Sequence, residues 1–155
     1  LFDGENPILG VMYQPYTDEL FVGDGTSAWL LRGEGKTPLT TSGRTELAQA
    51  SMLTTTAEDF FQGAHRAAFR RLRSQVKMTK IGGDCYLFAM LAMGGVDLGI
   101  ESGLQPYDIQ ALVPIIRGAG GVITCWDGGN PSMGGEVIAS ANTQLHRAAL
   151  DRLAN

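Results

Sequence analysis

Short apolar runs near the start of the chain, at 8–14, 19–22 and 27–31, are separated by Pro15-Tyr16-Thr17-Asp18 and by Asp24-Gly25. Turn residues at those gaps predict a short antiparallel meander. The stretch 32–45 is rich in Gly, Thr, Ser and Lys and reads as loop. A strand is expected at 52–55, followed by a helix from Thr56-Ala57-Glu58-Asp59 to about 75, with Phe61, Ala64, Ala68, Phe69, Leu72 and Val76 on its sheet-facing side. After a strand at 77–81, the run CYLFAMLAM predicts a compact buried helix that Gly94-Gly95 ends. Val96, Leu98 and Ile100 then alternate with Asp97, Gly99 and Glu101, the period of a strand.

A helix starting at Pro106 and stopping at Gly120-Gly121 follows, with Pro114 expected to bend it or to set off its first turn. Strands are expected at 122–126 and 136–141, joined by a Gly-rich loop over 127–135. Asn142 is a good cap for a last helix whose inner face carries Leu145, Ala149, Leu150 and Leu153. Alternating strands and helices imply a layered α/β fold.

Chemistry enters where Glu101 ends a strand and Asp108 sits seven residues later in the first turn of a helix. A hard cation such as Mg²⁺ takes one or two carboxylates together with phosphate oxygens and waters. A helix N-terminus favours both a carboxylate and a phosphoryl group. The same dipole accounts for a first-turn acid with no ligand at all, so both readings stand on spacing.

Composition removes several alternatives. The 155 residues carry 12 basic and 16 acidic side chains, a net charge of −4 that offers nucleic acid no general attraction. The cluster of Arg66, Arg70, Arg71, Arg73 and Lys77 reads as the solvated face of its helix. Tyr86 to Met93, the longest apolar run, is far short of the ~20 residues a bilayer span needs, so no membrane partner is expected and the setting reads as cytoplasmic. Cys85 and Cys125 lack metal-ligand spacing and are expected to be buried free thiols. His65 and His146 have no nucleophile placed by a motif and are expected to be structural or surface residues.

The run PYDIQALVPIIRGAGGVIT (106–124) resembles the C-terminal signature of the inositol monophosphatase family. ILGVMYQPYTDELFVGDGTSAWL (8–30) is similar to that family's hairpin region, and IGGDCYLFAMLAMGGVDLGIE (81–101) to its helix and strand before the signature. GGDCY (82–86), GLQPYDI (103–109) and TCWDGG (124–129) look most like the bacterial histidinol-phosphate phosphatase branch. The resemblance implies a sugar-phosphatase-like fold, with 46–155 as a C-terminal α/β domain and 1–45 as strands continuing the antiparallel sheet of an N-terminal domain. It also implies Mg²⁺-dependent hydrolysis of a small phosphorylated metabolite, and a homodimer.

Site residues carry over position by position. Asp108 matches the family's metal-ligand aspartate and Glu101 its substrate-binding glutamate, while Gly82 and Gly83 would leave room for the alcohol. Asp84 stands where general inositol phosphatases have a small residue, so with Glu101 it would form an anionic cradle for the ammonium and imidazole of histidinol. A capping role for Asp84 at the helix that follows is the alternative. The family's Gly-Glu-Glu and Asp-Pro-x-Asp-Gly-Thr motifs do not occur; Asp24-Gly25-Thr26 lacks the preceding Asp-Pro and reads as a hairpin turn. The catalytic residues are therefore expected upstream of Leu1, the chain is expected to be the C-terminal part of a longer enzyme, and these residues alone are expected to be inactive. Other readings are a broader inositol or sugar-phosphate phosphatase and a non-catalytic binding module.

Overall fold

The computed structural model describes residues 1–55, 58 and 61–154. The meander forms as expected. Strands β1 (Gly10–Gln14), β2 (Glu19–Gly23), β3 (Ala28–Arg32) and β4 (Gly35–Pro38) make an antiparallel sheet in sequence order. Asp24 Oδ1 accepts from the N–H groups of Thr26 and Ser27, 2.8 and 2.7 Å away, so Asp24-Gly25-Thr26 is a turn. The fourth strand corrects the reading of 32–45 as loop. All four β4 residues are exposed, so this edge strand carries no buried face for a hydrophobic pattern to reveal, and its Pro38 closes it.

A second sheet of five strands has the order β6-β5-β7-β9-β8. Its members are β5 (Ser51–Thr54), β6 (Met78–Ile81), β7 (Leu98–Leu104), β8 (Val122–Cys125) and β9 (Gly135–Ser140). β6, β5 and β7 run parallel, whereas β9 pairs antiparallel with both β7 and β8. Helices are α1 (Gly63–Arg73), α2 (Tyr86–Ala92), α3 (Pro106–Ile109), α4 (Leu112–Gly118) and α5 (Thr143–Ala154).

Both faces of the second sheet are covered, which is why its central strands are apolar on consecutive residues. On the inner face, Val137 and Ala139 of β9 join Leu87, Leu91, Val113 and Ile116 of α2 and α4, with Phe21 and Ala28 of the first sheet. On the outer face, Leu98, Ile100 and Ile138 pack with Phe69 and Leu72 of α1 and Leu145 and Ala149 of α5. The layers run sheet, helices, sheet, helices. Close approach of α4 to the first sheet needs glycine: a Cβ on Gly10 would lie 1.8 Å from the Ala111 carbonyl oxygen, and one on Gly23 would lie 2.5 Å from the Ile115 Cα.

Several boundaries shift. Helix α1 starts at Gly63, and the expected start at Thr56, Ala57 and Asp59 lies outside the described residues. Ala64, in its first turn, is exposed and does not face the sheet. The arginines of α1 are more than a solvated face. Arg70 and Arg73 pair with Glu58, and Arg71 donates to the carbonyl oxygens of Arg152 and Leu153 at the end of α5, where unpaired helix carbonyls need donors. The expected helix from Pro106 breaks into α3 and α4 at Gln110-Ala111, because Pro114 has no N–H to give the Gln110 carbonyl four residues back.

Candidate active site

Position along β7 sets the face of each acid. Leu98 and Ile100 point to the outer helices, so Gly99 and Glu101 point to α2; a Cβ on Gly99 would lie 2.7 Å from Leu87 Cδ1. Beyond Glu101 the ladder slips. Glu101 faces Val137 and Leu104 faces Gly135, three steps on β7 against two on β9, which is a bulge with Gly103 at φ +74°. Glu101 and Ser102 consequently lie on one cavity wall instead of on opposite faces.

The chain then turns into α3. The Gln105 backbone N–H donates to Asp108 Oδ2 at 2.8 Å, which fixes that carboxylate and leaves its second oxygen available. Because α3 is a single turn, the long helix dipole expected behind Asp108 does not exist there. From the other side, Gly82 (φ +114°), Gly83 (φ +111°) and Asp84 (φ +49°) carry the chain from β6 into α2 in successive left-handed conformations. Only glycine enters that region freely, and Asp is among the few other residues that tolerate it. Asp84 Oδ1 accepts from the neighbouring Cys85 N–H at 2.7 Å, but the residue capping α2 is Cys85, so the capping reading of Asp84 fails as stated.

Asp84, Glu101 and Asp108 line one cavity of about 510 Å³, together with Thr55, Cys85, Phe88, Ser102 and Tyr107. Among the described residues, no Lys, Arg or His is on its wall. Gly82 and Gly83 are not on it either; their part is to turn the backbone that presents Asp84. Glu101 is 6% exposed, and burial pushes its pKa above the ordinary carboxylate value. The hydroxyl and N–H of Thr55 hold it down in part, and the charge of Asp84 pushes it up further. Cys85 is exposed and Cys125 partly buried, correcting the expectation that both are buried. The Cys85 thiol is raised by desolvation and then by the charges of Asp84 and Asp108, so it stays protonated rather than nucleophilic.

Thr55, Ser102 and Tyr107 are site residues that sequence reasoning missed. Thr55 arrives through the parallel pairing of β5 with β7, which no local pattern announces. Gly103, two residues after the strand acid Glu101, was a readable sign of a bulge. His146 is structural as expected: buried, it lies 2.9 Å from Ser140 Oγ and 2.9 Å from Thr124 Oγ1.

The inositol monophosphatase family model matches residues 1–155. The chain belongs to that family. It is 40% identical to a chloroplastic bifunctional phosphatase, IMPL2, of Arabidopsis thaliana, over 99% of this chain and 45% of the relative. It is 31% identical to a histidinol-phosphatase of Mycobacterium tuberculosis, over 81% of this chain and 51% of the relative. An inositol monophosphatase from Zymomonas mobilis superposes with a TM-score of 0.87 at 33% identity, covering 97% of this chain and 58% of that one. The chain thus spans about half the length of the curated relatives it matches. Its layered α/β architecture is the family's fold, as the resemblance implied.

For a metal ion, this family member's donors fit in kind and not in number. Asp108 offers a hard oxygen ligand on the cavity wall, the donor Mg²⁺ prefers. Among the described residues no group of three His, Cys, Asp or Glu side chains could hold a metal. Nor, among them, is any helix long and apolar enough to cross a membrane.

Proposed function

We propose that the chain forms the alcohol-binding half and one metal-ligand corner of a Mg²⁺-dependent phosphate monoesterase, with histidinol phosphate as preferred substrate. The observation that carries this is the grouping of Asp84, Glu101 and Asp108 on one cavity with no basic side chain among the described residues. Asp84 and Glu101 pair with the ammonium and imidazole of histidinol; a neutral polyol gains much less from two carboxylates in a partly dehydrated pocket. Asp108 supplies an oxygen ligand to Mg²⁺, which when bound polarises phosphoryl oxygens and lowers the pKa of an attacking water. Remaining ligands and the groups that position that water are assigned to sequence upstream of Leu1. On this reading 1–45 continues the sheet of an N-terminal domain and 46–155 is the C-terminal domain. A cytoplasmic homodimer is the expected form, carried over from composition and family likeness.

The test is a substrate comparison in the full-length enzyme, with histidinol phosphate and inositol monophosphate against wild type and Asp84→Ala. The variant should lose at least about tenfold in kcat/KM for histidinol phosphate and little for inositol phosphate. Equal losses on both would reduce Asp84 to a backbone role and favour the inositol phosphatase reading, which the small-residue position it occupies also bears on. Residues 1–155 alone should show no Mg²⁺-dependent hydrolysis, and turnover by them would defeat the assignment of the missing ligands.

A further inference from the structure

A hydroxyl donates one proton and accepts at two lone pairs, so knowing where its proton goes tells what it offers a ligand. Two side-chain hydroxyls besides that of Tyr107 line the cavity, Thr55 and Ser102. Thr55 gives its backbone N–H to Glu101 Oε1, and its hydroxyl helps to hold the same carboxylate in its charged form. Ser102 Oγ donates to Glu136 Oε1 at 3.2 Å. A carboxylate has no proton to return, so the Ser102 hydroxyl faces the cavity with lone pairs only.

Glu136 is placed for this. It stands near the start of β9, opposite the bulge that swings Ser102 onto the wall beside Glu101. Its Oε1 is also 3.4 Å from His65 Nδ1 of α1, and the His65 ring meets Trp126 edge-on with centroids 5.5 Å apart. The oxygen that accepts from Ser102 is thereby also flanked by α1, an element that does not line the cavity.

We propose that Ser102 is a specificity-determining residue that accepts a hydrogen bond from an N–H or O–H on the alcohol half of the substrate, and that Glu136 is the positioning residue aiming its lone pairs. Asp84, Glu101 and Ser102 then all present acceptors to the same volume. A ligand group rich in donors, above all an ammonium or a protonated ring nitrogen, satisfies them; a carboxylate or carbonyl there meets only lone pairs. The inference rests on reading the cavity as the alcohol site, and it is separable from the choice of substrate.

Calorimetric titration of the full-length protein with histidinol, the alcohol without its phosphate, tests it across Ser102→Ala, Ser102→Thr, Glu136→Ala and the Ser102→Ala/Glu136→Ala double variant. Ser102→Ala should weaken binding about tenfold, the cost of one hydrogen bond to a charged donor. Ser102→Thr, which keeps the hydroxyl, should recover to within about threefold, Glu136→Ala should lose less than Ser102→Ala, and the double variant should lose no more than Ser102→Ala alone. Unchanged thermal unfolding of Ser102→Ala separates the effect from misfolding. Ser102→Ala binding as wild type does, Ser102→Thr binding as poorly as Ser102→Ala, or additive losses in the double variant would each overturn it. Wild type that binds inositol and not histidinol overturns the substrate reading alone, and the same variants titrated with inositol then decide Ser102. Binding of neither alcohol removes the cavity as an alcohol site and this inference with it.

Discussion

Asp97 and Glu101 stand at the two ends of one short stretch of β7 and its approach, each 6% exposed, and they have opposite electrostatic fates. Burial pushes both up. At Asp97 the Ser42 hydroxyl, the Ser51 N–H and hydroxyl, and the Arg44 guanidinium outweigh it, and the carboxyl ends below its ordinary pKa. At Glu101 burial prevails: among the described residues Thr55 alone donates, Asp84 repels, and the carboxyl ends above. Equal solvent exposure thus yields a structural clasp at Asp97 and an under-satisfied acid at Glu101, whose carboxyl is also the more deeply desolvated of the two. What distinguishes them is the supply of donors together with that desolvation, and an acid short of donors on a cavity wall is ready for a ligand that brings them.

The largest effect expected from that contrast is at the clasp. Asp97→Ala leaves the Ser51 N–H and the partly buried hydroxyls of Ser42 and Ser51 without this acceptor, and it removes one of the ties between 39–45 and the second sheet. A loss of about 3 kcal/mol is expected, mostly from the unpaired groups, since the half-exposed Arg44 contributes little. Urea unfolding at pH 7 measures it. A loss under about 1 kcal/mol would mean that donor supply is not what separates the two acids.

Much of this was legible in the alternation of β7, which put Asp97, Gly99 and Glu101 on one face, and in Asp108 beside Pro106. The partners were not. Ser42 and Ser51 lie 55 and 46 residues from Asp97, and Thr55 lies 46 from Glu101, distances bridged only by parallel pairing and a loop whose path no local pattern specifies. Asp84 was legible as a charge and not as a conformation: Gly-Gly-Asp reads equally as a cap or as a left-handed turn, and packing of α2 against β7 selects the second. β4 escaped notice because a strand with no buried face leaves no hydrophobic trace.

His146 extends the comparison to a group that must lose its charge to be buried. With Ser140 and Thr124 at its two ring nitrogens and apolar surroundings, burial lowers its pKa from 6.5 to about 4. A lowered pKa means that the unfolded chain takes up the proton first as pH falls. The contribution is therefore complete above 6.5 and is lost on going down toward about 4. Between pH 7 and pH 5 the loss is about 2 kcal/mol. Glu101 acts in the opposite direction over part of that range, so the measurement is the difference between wild type and His146→Gln in chemical unfolding at the two pH values. A parallel pH dependence in both proteins would show that His146 does not govern it.

The smallest stability change is expected at Glu101, and it carries the sharpest distinction. A raised pKa makes the folded state hold its proton longer than the unfolded chain does. Its contribution is therefore greatest below 4.5 and declines as pH rises through the raised value. Glu101→Gln removes the charge, keeps an oxygen to accept from Thr55, and should leave stability at pH 7 unchanged or raised by up to about 1 kcal/mol. The same variant should bind histidinol at least about tenfold more weakly, because an amide oxygen answers an ammonium far less well than a carboxylate. A loss of more than about 1 kcal/mol at pH 7 would place Glu101 with Asp97 as a clasp. Stability kept with affinity lost would instead show that Asp97 and Glu101 divide the labour of holding the sheet and receiving the ligand.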